Sequence, residues 1–218
     1  MIPRASSTAV PTSPREHRRE RERVLRREDI LAAASQVFAE KGFHDAQVSQ
    51  IATQAEVSLA SVYQHFESKE SMFDAVVGGV ASAIDIAIRQ RVENVADPSE
   101  RLLAVSDAMF DCFEQNQDLL RIYVRATHDR PWRTSGELGG KTREISHDFT
   151  SWVASLARDA ERAGGLRGLD PEIFATTLVG AVVTVAMRAV ESDDARALAE
   201  IAPQLRAIFA RTFEGRSS

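Results

Sequence analysis

Ser58, Leu59, Ala60, Ser61, Tyr63, Gln64 and His65 fall within the ten residues "VSLASVYQHF" at 57–66, interleaved with Val62 and Phe66. Residues four apart share a helix face, so Val62 and Phe66 form an inner side and the others are left outward or sideways. The outward set suits a DNA duplex. Leu59, Ala60 and Ser61 are small enough to let backbone approach the bases, and the Gln64 amide matches adenine bidentately in the major groove. Tyr63, His65 and Lys69 suit phosphate oxygens. A purely structural helix gains little from Tyr-Gln-His on one exposed turn.

Such a helix needs a scaffold. Ser58 offers a side-chain oxygen to its free N–H groups, and a short stripe of Val48, Ile51, Ala52 and Ala55 precedes it across the tight segment Ala55-Glu56-Val57-Ser58. Two short helices so joined are what a helix-turn-helix requires. Upstream, Ile30, Ala33, Ala34, Val37 and Phe38 recur at three and four and stop at Lys41-Gly42, where glycine closes the helix. Downstream, Ser68 caps a helix striped by Phe73, Val76, Val77, Val80, Ile84, Ala87 and Ile88. Further helices are expected from Asp97-Pro98, over Asp118 to His128, over Lys141 to Ala163, and from Asp170-Pro171 to Val190. A last one, Leu198 to Phe213, is expected to kink or break at Pro203. No stretch alternates as a strand does. The expected fold class is all-α: a basic disordered arm (1–26), a three-helix helix-turn-helix domain (27–73), and a larger helical ligand-binding and dimerisation domain (74–218).

The net charge of −5 over 218 residues hides a strong asymmetry. Residues 1–27 carry eight Arg against three Glu, whereas residues 28–75 carry two Lys against eight Asp and Glu. The basic tail is therefore the natural source of electrostatic attraction to phosphate. One cysteine, Cys112, excludes an intrachain disulfide and any multi-cysteine metal site. The N-terminus lacks the apolar centre of a signal peptide, and the apolar run 174–190 is short and polar for a membrane span, so a cytoplasmic protein without a membrane partner is expected. Neither metal nor cofactor is expected. Glu144-Ile145-Ser146-His147 is a lone Glu-x-x-His, and glycine-rich phosphate loops and nucleophile elbows are missing, so the chain does not read as an enzyme.

The motifs "FAEKGF" at 38–43, "IA" at 51–52, "VS" at 57–58 and "YQHFESKE" at 63–70 together resemble the DNA-binding domain of the TetR family of bacterial transcriptional regulators. The resemblance implies a homodimer that sets two recognition helices on a palindromic double-stranded operator and answers to a small-molecule effector, as yet unidentified. It adds Arg26, Arg27, Gln47 and Ser49 to the DNA-contacting set. Two departures stand out: Glu56 occupies a turn position where the family has glycine, and Ala46 and Gln47 replace a Thr or Ser cap. Both weaken backbone contacts from the motif, which throws more of the affinity onto Arg18, Arg19, Arg21, Arg23, Arg26 and Arg27.

Candidate effector contacts are the large side chains Met109, Phe110, Phe113, Tyr123, Trp152, Phe174 and Met187. Arg121, Arg125 and His128 share a helix face suited to an anionic group, although Asp118 and Asp129 are placed to pair with the arginines instead. The helix from Asp170 to Val190 is apolar nearly all round, which asks for a second subunit to cover it. Arg188 interrupts it, either pairing across that interface or reaching solvent. The alternative reading is an all-helical interaction module or small-molecule binder without DNA binding.

Overall fold

A computed structural model describes residues 13–117, 140–166, 168–191 and 195–213. Among these residues there are eight helices and no strand: α1 (Pro14–Asp45), α2 (Val48–Gln54), α3 (Leu59–His65), α4 (Lys69–Val92), α5 (Pro98–Gln115), α6 (Gly140–Arg162), α7 (Pro171–Glu191) and α8 (Ala195–Ala210). The all-α class follows directly. The helix expected over 118–128 lies outside the described residues.

Helix α1 begins far earlier than its apolar stripe. Residues 14–26 are helical, which corrects the expected disordered arm over that stretch. The start is a capping box: Ser13 Oγ accepts from the Glu16 N–H at 3.3 Å, Glu16 Oε2 accepts from the Ser13 N–H at 2.9 Å, and Pro14 occupies the first turn. Spaced charges then support an exposed helix, with Arg18 3.6 Å from Glu22 and Arg23 3.4 Å from Glu20. Such pairs contribute roughly 0.2–0.5 kcal/mol each. At Gly42 the backbone turns left-handed, φ 75°, and returns Phe43 onto Phe38.

Two hydrophobic cores result, and α4 belongs to both. The first gathers Ile30, Ala34, Phe38, Ile51, Val62 and Phe66 around Met72, Phe73 and Val76 of α4. The second begins at Ile84 and Ile88 of the same helix and takes in α5 to α8. By length and composition α4 and α7 could each cross a membrane. In the fold, α4 packs on α1, α5 and α6, and α7 on α5, α6 and α8. Asp74 ties the layers together, its Oδ2 accepting from the Lys141 N–H at the start of α6.

Helix α8 runs unbroken through Pro203, where the sequence suggested a kink or a break, so the break does not occur. Its inner side, with Leu198 and Phe209 buried and Leu205 packed on the second core, holds the helix across the missing hydrogen bond. Arg206 adds an ionic tie to α5, reaching Glu100 at 2.8 Å and Asp107 at 3.4 Å.

Candidate nucleic-acid interface and effector cavity

The recognition helix is α3. Ser58 Oγ accepts from the Ser61 N–H at 3.1 Å and starts it, while Val62 and Phe66 bury and anchor it. Leu59, Ala60, Tyr63 and Gln64 are exposed, and Ser61 and His65 are half-buried at its flank. Tyr63 and Leu59 keep 52% and 44% of their surface open, large for an aromatic and an aliphatic side chain that no described neighbour covers. At the head of α2, Gln47 and Ser49 are exposed, and Gln50 Oε1 accepts from the Gln47 N–H at 3.2 Å. Gln50 thus supplies the reciprocal half of a capping box, while its own N–H, which a Thr or Ser hydroxyl would cap, donates to Gln47 O at 3.0 Å.

The turn between α2 and α3 is a Schellman closure: the Val57 N–H donates to Ala52 O at 2.9 Å and the Glu56 N–H to Thr53 O at 3.1 Å. Glu56 sits at the left-handed position, φ 55°, where glycine is the usual occupant. A non-glycine residue there costs roughly 1–2 kcal/mol.

The extension of α1 runs beside α3. Glu22, Arg23 and Arg26 share a polar groove with Glu56, Ser58, Ser61, Gln64 and His65, and the Arg27 guanidinium stacks 4.8 Å from the Phe66 ring centre. Desolvation, then the charges of Arg23, Arg27 and Arg26, hold the His65 imidazole below its ordinary value. It is therefore neutral at pH 7, a hydrogen-bonding group beside the arginines. The pattern Ser13-Pro14-Arg15-Glu16 announces this helix, in the same form as Asp97-Pro98-Ser99-Glu100 before α5. Arginine-rich composition masked it.

Lys69, expected from the sequence to meet a phosphate, turns its ammonium back to the end of α1 in this structure. Its ammonium donates to Phe43 O at 2.8 Å, Ala46 O at 3.0 Å and His44 O at 3.1 Å, and lies 4.6 Å from the centre of the Phe43 ring. All three donors are used closing the end of α1.

In the second core a cavity of about 190 Å³ opens between α4, α5, α6 and α7. Met109, Phe113 and Met187, three of the candidate effector contacts, line it. Phe110 is buried elsewhere in the core, Phe174 stacks on Phe209 and Phe213, and Trp152 packs on Phe149 and under Arg89. These three, named from the sequence as candidate effector contacts, pack in the core and are not among the described residues that line this cavity. Arg121, Tyr123 and Arg125 lie outside the described residues. The largest share of the wall is α4, with Val76, Val77, Val80, Ala81, Ile84, Asp85 and Ile88, none of them singled out from the sequence as effector contacts. Val76, Val77, Val80 and Ile84 cover about 100° of the helix, the ordinary width of a core-facing stripe, so the sequence carries no signal that separates cavity wall from packing.

The outward side of α7 carries Ile173, 68% exposed, with Thr176, Thr177, Gly180, Thr184 and Arg188. It is small-residue and threonine-rich, less apolar than the sequence implied. On α8, Ile208 is 58% exposed beside Gln204 and Ala207.

A family model described as bacterial regulatory proteins of the tetR family matches residues 30–76. The HTH-type transcriptional regulator YdgC of Bacillus subtilis is 31% identical over 164 residues, covering 73% of this chain and 78% of the relative. The HTH-type transcriptional activator FasR of Mycolicibacterium smegmatis is 29% identical over 168 residues, 77% of this chain and 74% of the relative. The fold is shared with the transcriptional regulator FadR of Bacillus subtilis in complex with stearoyl-CoA, with a TM-score of 0.71 at 22% identity, covering 84% of this chain and 97% of that one. The helix-turn-helix on its aromatic core, the helical body behind it and a relative matched along most of its length agree: the chain belongs to the TetR family of bacterial regulatory proteins, the helix-turn-helix transcriptional regulators.

Proposed function

We propose that the chain is a ligand-responsive repressor that binds a palindromic operator as a homodimer. The observation that carries this is α3: a short capped helix whose Val62 and Phe66 are sealed into a rigid core while Tyr63, Gln64 and Leu59 face outward. Gln64, Ser61 and Ala60 read base edges, and Tyr63, Ser49, Gln47, Arg26 and Arg27 hold the phosphates. Arg23 and the helical extension of α1 widen that phosphate footprint beside α3.

Dimerisation uses the outward faces of α7 and α8, where Gly180 and its threonine neighbours let helices approach closely. Two-fold symmetry then presents two α3 helices to successive major grooves, half-sites about 34–36 Å apart or a multiple of that distance. Helix α4 supplies the switch. One end is locked into the reading head through Phe73 and Val76, and its middle walls the cavity through Val80 and Ile84. The cavity is smaller than the roughly 300–1,000 Å³ of most small-molecule sites, so an effector of ordinary size binds by moving its walls. Displacing α4 turns the reading heads and releases DNA. The kinship with the activator FasR favours a second reading in sign only: the same movement promoting transcription.

Selection from a random DNA pool tests the proposal. The wild-type chain enriches a palindrome. Gly180→Arg, placed where an added Cβ meets nothing within 4 Å, yields a folded monomer that loses paired half-sites, and Tyr63→Ala stays dimeric but binds DNA more weakly. A dimer that enriches no sequence after refolding free of ligand would sink the reading.

A further inference from the structure

Among the described residues that wall the cavity, Asp85 alone carries a charge. It stands on α4 beside Ile84 and one turn from Ile88, with the rest of the described wall mostly branched aliphatic, methionine and phenylalanine. Arg89 Nε donates to its Oδ1 at 2.6 Å. The Arg89 guanidinium in turn lies 4.4 Å from the centre of the Trp152 ring, so the arginine is held on two sides and fixes the carboxylate. Oδ2 receives no hydrogen bond from a described residue. A carboxylate set against an apolar cavity, with one oxygen clamped and one open, is a hydrogen-bond acceptor prepared for a donor.

We propose that Asp85 is the polar anchor of the effector site and selects compact neutral or cationic amphiphiles, an apolar body bearing one hydroxyl, amide N–H or ammonium, over anionic ones. The proposal rests on reading the cavity as the effector site. Size points the same way: an apolar protein cavity of about 150 Å³ holds benzene, so about 190 Å³ accommodates a slightly larger body before the walls move. The preferred ligand therefore differs in charge and bulk from the stearoyl-CoA of the FadR complex. The anchor also lies on the helix that joins the two cores, so a donor engaging Oδ2 pulls directly on the switch element.

The test is calorimetric titration of the full chain at pH 7.5 with 2-phenylethanol, 2-phenylethylamine and phenylacetate, which share an apolar body and differ in charge. The alcohol and the amine are expected to bind at least tenfold more tightly than the anion. Asp85→Asn should bring the amine and the anion within about threefold of each other, with unfolding temperature and helicity checked in parallel. Phenylacetate binding as tightly as the alcohol, or an unchanged order in Asp85→Asn, overturns the anchor. If the anion wins and Arg125→Ala abolishes it, Arg125 is the anchor instead. The cavity reading is tested separately by Val80→Trp, or Val183→Phe should the first misfold. Amine binding that survives the filled cavity, or no binding by any of the three probes, overturns the site and the anchor together.

Discussion

The two hydrophobic cores use the same kinds of residue and behave as opposites. In the reading head, Phe38, Phe43 and Phe73 interlock, with ring centres 4.9 to 6.0 Å apart and near-perpendicular contacts at Phe73, and Phe38 has no exposed surface. In the body, the space between α4, α5, α6 and α7 is walled by Val80, Ile84, Val179, Val183 and Met187 and left partly empty. On the mechanism proposed above, a solid head transmits a displacement of α4 as a rotation, and a hollow body lets a ligand cause one. The difference is a division of labour along a single helix, since α4 contributes Phe73 to the first and Ile84 to the second.

The comparison breaks most visibly under paired core substitutions. Phe38→Ala should cost about 3–5 kcal/mol, because the packed rings cannot close the gap. Val183→Leu, which adds a methylene toward the cavity, should be neutral or stabilise by up to about 1 kcal/mol. Urea unfolding of both variants measures the contrast; equal losses would mean that the body is as tightly packed as the head. Next in size is Lys69→Ala, expected to destabilise the head by about 2 kcal/mol, since three backbone carbonyls at the end of α1 lose charged donors. Its salt slope of DNA binding should match wild type. A slope lower by about one would return Lys69 to the phosphates. Smaller again, Glu56→Gly should stabilise the head by about 1 kcal/mol by relieving the left-handed glutamate. The same change removes a carboxylate from the groove beside α3, so operator affinity should rise too.

Periodicity made the helices legible. The stripes of α1, α4 and α5, the serine and aspartate caps at 58, 68 and 97, and the glycine closure at 42 all translate directly into local geometry. The inward pair Val62 and Phe66 oriented α3 for the same reason. Long-range partnership was not legible. Nothing in the sequence neighbourhood of Lys69 says that its ammonium will cap a helix ending at residues 43–46, because that meeting depends on how α4 crosses α1. Likewise Phe110 and Phe174 carry the same side chain as Phe113, and Trp152 is another large aromatic, so only the packing of α5 to α8 decides which face the cavity. Arginine content suggested disorder for residues 14–26, while the Ser13–Glu16 box and the spacing of Glu20 and Glu22 against Arg23 and Arg18 favour a helix.

The smallest expected effect lies at the rim of the head, in the groove between α1 and α3. His65 is held below its ordinary pKa by desolvation and by Arg23, Arg27 and Arg26. In the unfolded chain it takes a proton near pH 6.5, whereas the folded chain resists protonation until the pH is lower. The unfolded state therefore binds more protons as pH falls through about 6.5, and stability declines on the acid side of that value. His65→Gln keeps a hydrogen-bonding side chain and removes the titration, so its stability should fall less between pH 7 and pH 5 than that of wild type. DNA has the reverse effect, because phosphates beside the arginines neutralise their field and favour the imidazolium. Operator binding by wild type should then take up protons as the pH falls below neutrality, and strengthen relative to His65→Gln as the solution is acidified. Parallel pH profiles of the two proteins, with and without operator, measure both effects, and operator binding with the same pH dependence in the two would mean that no phosphate reaches the arginine groove beside His65.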